Sequence, residues 1–137
     1  MYKENKIYLS KGKKKILSAV IYKYKKKFNS GVKFLTPNYL PFQIGIMSHK
    51  KGHKILPHYH KKSKFYLNFK SECLYILSGK LRVNFFENKK VSKTFLLQTK
   101  DIVLLLRGGH GFSVIKKCKM IEIKQGPFYP LKDKILI

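Results

Sequence analysis

Acidic residues, cysteine and tryptophan are scarce in this chain of 137 residues. Aspartate and glutamate number 6 against 31 lysines and arginines, which sets the formal net charge at +25. Tryptophan is absent, and the two cysteines, Cys73 and Cys118, do not form a CxxC pair. So few cysteines exclude a disulfide framework and predict two free thiols in a reducing compartment.

Long apolar runs are also missing. The longest covers residues 102–106, which is the length of a buried strand and far below the ~20 residues of a transmembrane helix. The residues after Met1 lead into no signal-type apolar segment. We therefore expect a cytoplasmic protein with no membrane partner.

Arginine is rare although the chain is strongly basic. Arg82 and Arg107 are the only two arginines, and the lysines are spread through almost every segment. Proteins that read nucleic-acid sequence rely on arginine for bidentate contacts to bases and phosphates. We expect the charge to favour a small anionic or sugar-derived ligand rather than a specific nucleic acid. A basic barrel that binds nucleic acid is the alternative, and it requires lysines clustered on one face with exposed aromatic side chains.

The residues that are plentiful favour β-structure. Hydrophobic residues make up 44% of the chain, and the aromatic 14% is all tyrosine and phenylalanine, which suit strands. Turn residues separate short apolar segments at regular spacing, as in an antiparallel barrel. We predict one all-β domain, a barrel of residues 42–137 with residues 1–41 packed on it as a strand and turn extension. Turns are expected at 78–80 and 87–90, and strands at 16–28, 42–47, 54–60, 72–77, 81–86, 91–98, 101–106, 112–115 and 119–124.

Histidines and one glutamate stand at positions that suit a metal site. His58 and His60 are separated by one residue, so they point the same way if the segment is an extended strand. Glu72 would share a strand face with aliphatic side chains, where a carboxylate is costly to bury unless a cation meets it. With His110 from a second glycine-rich segment, three imidazoles and a carboxylate suit Fe, Mn, Ni or Zn.

These residues follow a known pattern. The chain resembles the cupins, jelly-roll barrels whose first motif runs Gly, five residues, His-x-His, a spacer, Glu, six residues and Gly. The matching positions are Gly52, His58, His60, Glu72 and Gly79, with a spacer of eleven residues that is longer than usual. The second cupin motif supplies one histidine, for which His110 is the candidate. In this chain Lys100 stands where the second motif begins with glycine, and the proline of that motif is missing. His110 comes one residue earlier than the histidine of the motif.

The resemblance implies a closed jelly roll that holds a divalent transition metal through His58, His60, Glu72 and His110. It implies an isomerase, epimerase or dioxygenase if the protein is catalytic, or a ligand-binding sensor module if it is not. It also implies a sugar-related role, because similar small bacterial cupins often lie beside cell-surface polysaccharide genes. Pairing of two copies in a homodimer is a further expectation. The narrower similarity covers residues 34–37, 43–45, 78–80, 108–112 and 123–127.

Overall fold

The computed structural model describes residues 1–62, 64, 66–127 and 135–137. These residues form strands and no helix, so the described part of the chain contains no helix that could cross a membrane. The all-β prediction is confirmed. The strands are β1 (Tyr2–Lys11), β2 (Lys14–Tyr24), β3 (Gly31–Phe34), β4 (Gly45–Ser48), β5 (Glu72–Glu87), β6 (Lys90–Gln98), β7 (Ile102–Leu105) and β8 (Gly109–Lys124).

The chain divides into two compact units. The first consists of Met1 and Lys26–Asn68, and it contains the antiparallel pair of β3 and β4. The second consists of Tyr2–Lys25 and Phe69–Ile137, and it contains the other six strands in one sheet. β1 and β2 are therefore integral to the larger sheet, while the division of the chain at residue 41 stays a prediction.

β5 is the central strand of the larger sheet. Its first residues, 72–75, pair with β7, and its residues 80–87 pair with β6. β8 pairs with β5 along almost its whole length, so β6 and β7 follow one another along the opposite edge. The sheet continues from β7 to β2 and then to β1, and every pairing is antiparallel.

The larger sheet curls around its core. β2 and β7 lie between β1 and β5 in the sheet, yet the backbone N–H of Ser10 in β1 donates to the Glu87 carboxylate of β5 and lowers the pKa of that carboxylate. Lys93 of β6 likewise donates its Nζ to the Tyr8 carbonyl at 3.2 Å. The sheet is thus an antiparallel half-barrel, and its closure into a jelly roll stays a prediction. The core cluster consists of Ile7, Leu9, Ala19, Ile21, Leu74, Ile76, Leu81, Val83, Phe85, Leu97, Val103 and Leu105.

The predicted turn at residues 78–80 is wrong, because β5 runs through it as one strand. Gly79 has φ +89°, and a Cβ at this position would lie 2.0 Å from the Lys117 carbonyl oxygen. Glycine therefore allows an irregularity in the pairing with β8 rather than a reversal of the chain. The turn at 87–90 is confirmed, with positive φ at both Asn88 and Lys89, as a tight hairpin requires.

The predicted strand at residues 54–60 is also wrong. The structure has no strand among the described residues 49–71, and every described residue from 49 to 62 is exposed. Pro57 lacks the N–H that a strand ladder needs, and no partner strand covers the segment. Alternation of residue types alone cannot stabilise a strand that has no neighbour to pair with.

Other boundaries differ in smaller ways. The strand expected at 42–47 begins only at Gly45, because the Gln43 amide donates to the carbonyls of Pro37 (2.9 Å) and Leu40 (2.7 Å) in the preceding turn. The two strands expected after residue 111 are one strand, β8. β1, which is rich in lysine, was not predicted.

Asp101 ties three strands together where β6 ends and β7 begins. Its carboxylate is fully buried and accepts hydrogen bonds from the backbone N–H groups of Tyr24 and Gln98, each at 2.9 Å. Lys23 of β2 donates its Nζ to the same carboxylate. Lys100, with φ +74°, makes the turn that aims Asp101 inward. A buried carboxylate is tolerated here because both oxygens have donors.

Replacing Gly79 with Ala should destabilise the fold strongly. The new Cβ would meet the backbone of β8, and alanine disfavours positive φ, so we expect a loss of roughly 2–4 kcal/mol in the free energy of unfolding. Gly12→Ala is the matched control, because Gly12 has φ +61° and open space around it. It should cost only about 1 kcal/mol. Urea denaturation measures both losses. Equal losses of unfolding free energy in the two variants would contradict the close approach of β8 to Gly79.

Replacing Asp101 with Ala should cost roughly 2–4 kcal/mol in the free energy of unfolding, because it removes the acceptor of the Tyr24 and Gln98 backbone N–H groups. It also leaves the Lys23 ammonium with only the Leu96 carbonyl, 2.8 Å away, as acceptor. The exposed pair of Glu4 and Lys6, 3.3 Å apart, provides the control. Glu4→Ala should cost less than about 1 kcal/mol. Both values are measured by urea denaturation, and a small loss in the Asp101→Ala protein would show that the junction does not depend on the carboxylate.

Candidate functional site

Glu72 and His110 meet in the larger unit. His110 Nε2 lies 3.4 Å from Glu72 Oε2, and the two side chains are only 28% and 16% exposed. Two of the four residues in the predicted ligand set are therefore neighbours in space, although 38 positions separate them in sequence. A carboxylate and an imidazole at this distance form either an ion pair or two corners of a metal site.

The curl of the sheet brings the two side chains together. Glu72 begins β5 and lies on the same side of the strand as the buried Leu74 and Ile76. His110 is the register partner of Phe85, another core residue, at the far end of β5. Both functional side chains thus face the core side of the sheet. Glu72 and Phe85 lie thirteen positions apart along β5. A strongly curved sheet is therefore needed to bring Glu72 close to His110, the partner of Phe85.

The backbone orients the His110 ring. The carbonyl oxygen of Gly108 lies 3.2 Å from His110 Nδ1, and in the neutral ring Nδ1–H donates to it. The lone pair then resides on Nε2, which is the nitrogen that faces Glu72. A lone pair and a carboxylate oxygen at 3.4 Å repel one another unless a proton or a cation lies between them.

The spacing of the two groups fits a metal ion. Two ligands that each lie ~2.1 Å from zinc at a tetrahedral angle are about 3.4 Å apart. The distance from His110 Nε2 to Glu72 Oε2 has this value. Metal-bound histidines commonly donate their other ring nitrogen to a carbonyl, as His110 does to Gly108.

His58 and His60 form a second pair, which belongs to the smaller unit. Their rings are 5.0 Å apart between centroids and meet edge to face, and both side chains are exposed. The one-residue spacing thus brings the rings together, although no strand carries them. The carbonyl oxygen of Leu56 lies 2.8 Å from His58 Nδ1, so in the neutral ring Nε2 is available to bind a ligand.

His49 and His53 are also exposed. They also stack on each other, with ring centroids 4.0 Å apart and an angle of 3° between the planes. The turn in which the His53 N–H donates to the Lys50 carbonyl brings them together. Sequence reasoning missed this contact, and the four-residue spacing across a turn with Gly52 at φ +86° was the available signal.

No group of three or more His, Cys, Asp or Glu side chains that could hold a metal ion occurs among the residues that the structure describes. The full ligand set of His58, His60, Glu72 and His110 stays a prediction. His58 and His60 belong to the smaller unit, and Glu72 and His110 belong to the larger one.

Basic side chains flank Glu72. Lys124 is its register partner on β8, so the two side chains lie on the same side of the sheet. Lys124 also lies 3.9 Å from Glu122. In the loop that leads to His110, the Arg107 guanidinium covers the Phe69 ring at 5.2 Å. Lys124 thus places one positive charge on the side of the sheet that carries the Glu72 carboxylate.

The two thiols differ in accessibility. Burial raises the pKa of Cys73 to about 11, and Cys73 is only 6% exposed. Burial also raises the pKa of Cys118, which is more accessible. Both thiols are therefore protonated at neutral pH, which argues against either one as a nucleophile.

Iodoacetamide should alkylate Cys118 before Cys73 in the native protein. Alkylation of both should accelerate as the pH rises, since only the thiolate reacts and its fraction grows toward the raised pKa. Mass spectrometry of peptides measures the two rates, with the urea-unfolded protein as control. Faster native labelling of Cys73 would contradict its burial in the sheet.

Comparisons with protein-family models, curated proteins and solved structures found no match to this chain. The resemblance to the cupins therefore depends on motif spacing and stays a prediction.

Proposed function

We propose that this chain is a cupin-like, metal-binding protein that binds or transforms a small anionic or sugar-derived ligand in the cytoplasm. The observation that carries the proposal is the contact between His110 Nε2 and Glu72 Oε2 at 3.4 Å. Motif spacing predicts both residues as ligands of the same metal. In this proposal the half-barrel closes into a jelly roll.

Glu72 and His110 alone are too few to retain a transition metal, since protein sites use three or four ligands. We propose that His58 and His60 supply the others, because the resemblance assigns them this role and His58 Nε2 is available. Bound there, a divalent metal would polarise a carbonyl or hydroxyl oxygen of the ligand. The basic side chains beside Glu72 would hold the ligand's negative charge.

Metal analysis of the full chain, purified without chelators or an affinity-tag metal, tests this function. We expect about one equivalent of Fe, Mn, Ni or Zn in the wild-type protein. His110→Ala and the double variant His58→Ala/His60→Ala should each lose metal affinity by at least about tenfold. Circular dichroism should show that the fold is retained, because the apolar core does not include these side chains.

The double variant His49→Ala/His53→Ala is the matched control, since it removes two imidazoles from the same exposed segment outside the proposed set. It should keep the wild-type metal content. Metal binding should also weaken on acidification, because protonated imidazole cannot bind a metal. Full metal content in the His110→Ala protein, or equal loss in the control, would refute the proposed ligand set.

A further inference from the structure

A recess of about 260 Å³ opens on the larger sheet where β5, β6 and β8 run side by side. Its volume is several times the ~30 Å³ share of one water molecule in the liquid, so it can admit a small anion. None of its lining residues in the described part of the chain is acidic. The lining residues are Gly79, Lys80, Gln98, Thr99 and Lys116.

The strand register places two lysines directly opposite one another in this recess. Lys80 of β5 pairs with Lys116 of β8 on one side and with Gln98 of β6 on the other. Register partners project from the same face of a sheet, so the three side chains form a row across three strands. Like charges directly opposite one another are unfavourable in a sheet. An anion that contacts both ammonium groups would relieve this repulsion.

Neither lysine has a countercharge among the residues that the structure describes. The ion pairs of the described residues include neither Lys80 nor Lys116. By contrast, Lys23 forms an ion pair with the buried Asp101. The recess thus holds two exposed ammonium groups that no carboxylate of the described residues neutralises.

The irregular backbone at Gly79 creates this arrangement. The pairing of β5 with β8 shifts register between Ser78 and Lys80 and again between Lys80 and Leu81. Gly79, with φ +89°, lets the backbone of β8 at Lys117 approach closely. Such bulges re-aim side chains, and here Lys116 rather than Lys117 becomes the partner of Lys80.

The recess is separate from the candidate metal site. Leu81 is fully buried in the core, so its neighbour Lys80 projects from the opposite side of the strand. Glu72 and His110 lie on the core-facing side. The two sites are therefore on different faces of one sheet, and one can exist without the other.

We propose that this recess is a phosphate-binding site, independent of the proposed metal-dependent function. The Nζ groups of Lys80 and Lys116 neutralise the phosphoryl charge, while the Gln98 amide and the Thr99 hydroxyl are available to donate to its oxygens. Lysine binds phosphate as a point charge. The ligand chemistry is a phosphoryl group, free or carried by a small sugar.

Calorimetric titration of the full chain at physiological salt, where diffuse attraction is screened, tests the site. The probes are inorganic phosphate, glucose 6-phosphate and glucose. We expect saturable binding of at least one phosphorylated probe and none of glucose. Tighter binding of glucose 6-phosphate would identify the sugar-linked source, and tighter binding of inorganic phosphate the free one.

The variant Lys80→Gln/Lys116→Gln should weaken this binding at least about tenfold, the effect of losing charge-assisted contacts. Lys11→Gln/Lys14→Gln is the matched control, because Lys11 and Lys14 also face each other across two strands but do not line the recess. It removes the same charge and should change affinity less than about twofold.

Thermal unfolding gives a second readout that does not depend on calorimetry. Phosphate should raise the Tm of the wild-type and control proteins, because a ligand that binds only the folded state stabilises it. It should raise the Tm of the Lys80→Gln/Lys116→Gln protein less than that of the control, because without the site phosphate acts only through exclusion from the surface and screening of charge. Equal weakening in both double variants, or no saturable binding to the wild type, would overturn the site. Neither result bears on the metal content that tests the proposed function.

Discussion

The buried carboxylate of Asp101 is the interaction on which the larger sheet depends. β6 and β7 would be one continuous strand along β5 if the chain did not turn at residues 99–101. Asp101 fills this interruption and accepts hydrogen bonds from the backbone of Tyr24 and Gln98 and from the Lys23 ammonium. Because its donors come from β2 and β6, one side chain joins the strand that pairs with β7 to the strand that precedes β7 along β5. A charged group is used in an otherwise apolar interior because only a multiple acceptor satisfies all three donors.

The strand register that Asp101 stabilises also positions the residues of both proposed sites. The backbone of Ile76 in β5 exchanges hydrogen bonds with Lys100 and Asp101, which anchors the middle of β5 to the junction. On one side of this anchor the strand leads back to Glu72, and on the other it leads through the bulge at Gly79 to Lys80. The core-facing side of the sheet thus presents a carboxylate and an imidazole, whereas the other side presents two lysines. A single sheet can carry two unrelated chemistries because alternate side chains face opposite ways.

The sequence predicts those features of the fold that depend on neighbouring residues. β2, β6 and β7 were expected near their observed positions, because their apolar residues are continuous or alternate. Alternation along the segment also predicted that Glu72 lies on the same side of its strand as Leu74 and Ile76. The prediction failed at Gly79, since glycine with positive φ suits a turn and a bulge equally well. It failed at residues 54–60 too, because a strand needs a partner as well as a pattern.

Sequence alone determined the all-β class, the strong positive charge, the hairpin turn at residues 87–90 and the candidate ligands of a metal site. Only the tertiary structure decided that Glu72 and His110 lie in contact, that Lys80 faces Lys116, and that Asp101 joins three strands. The reason is physical. Backbone propensity and alternation act over a few residues, whereas cross-strand partners depend on bulges and on the curl of the whole sheet. A register shift of one residue changes every partner beyond it, and no local pattern in the chain encodes that shift.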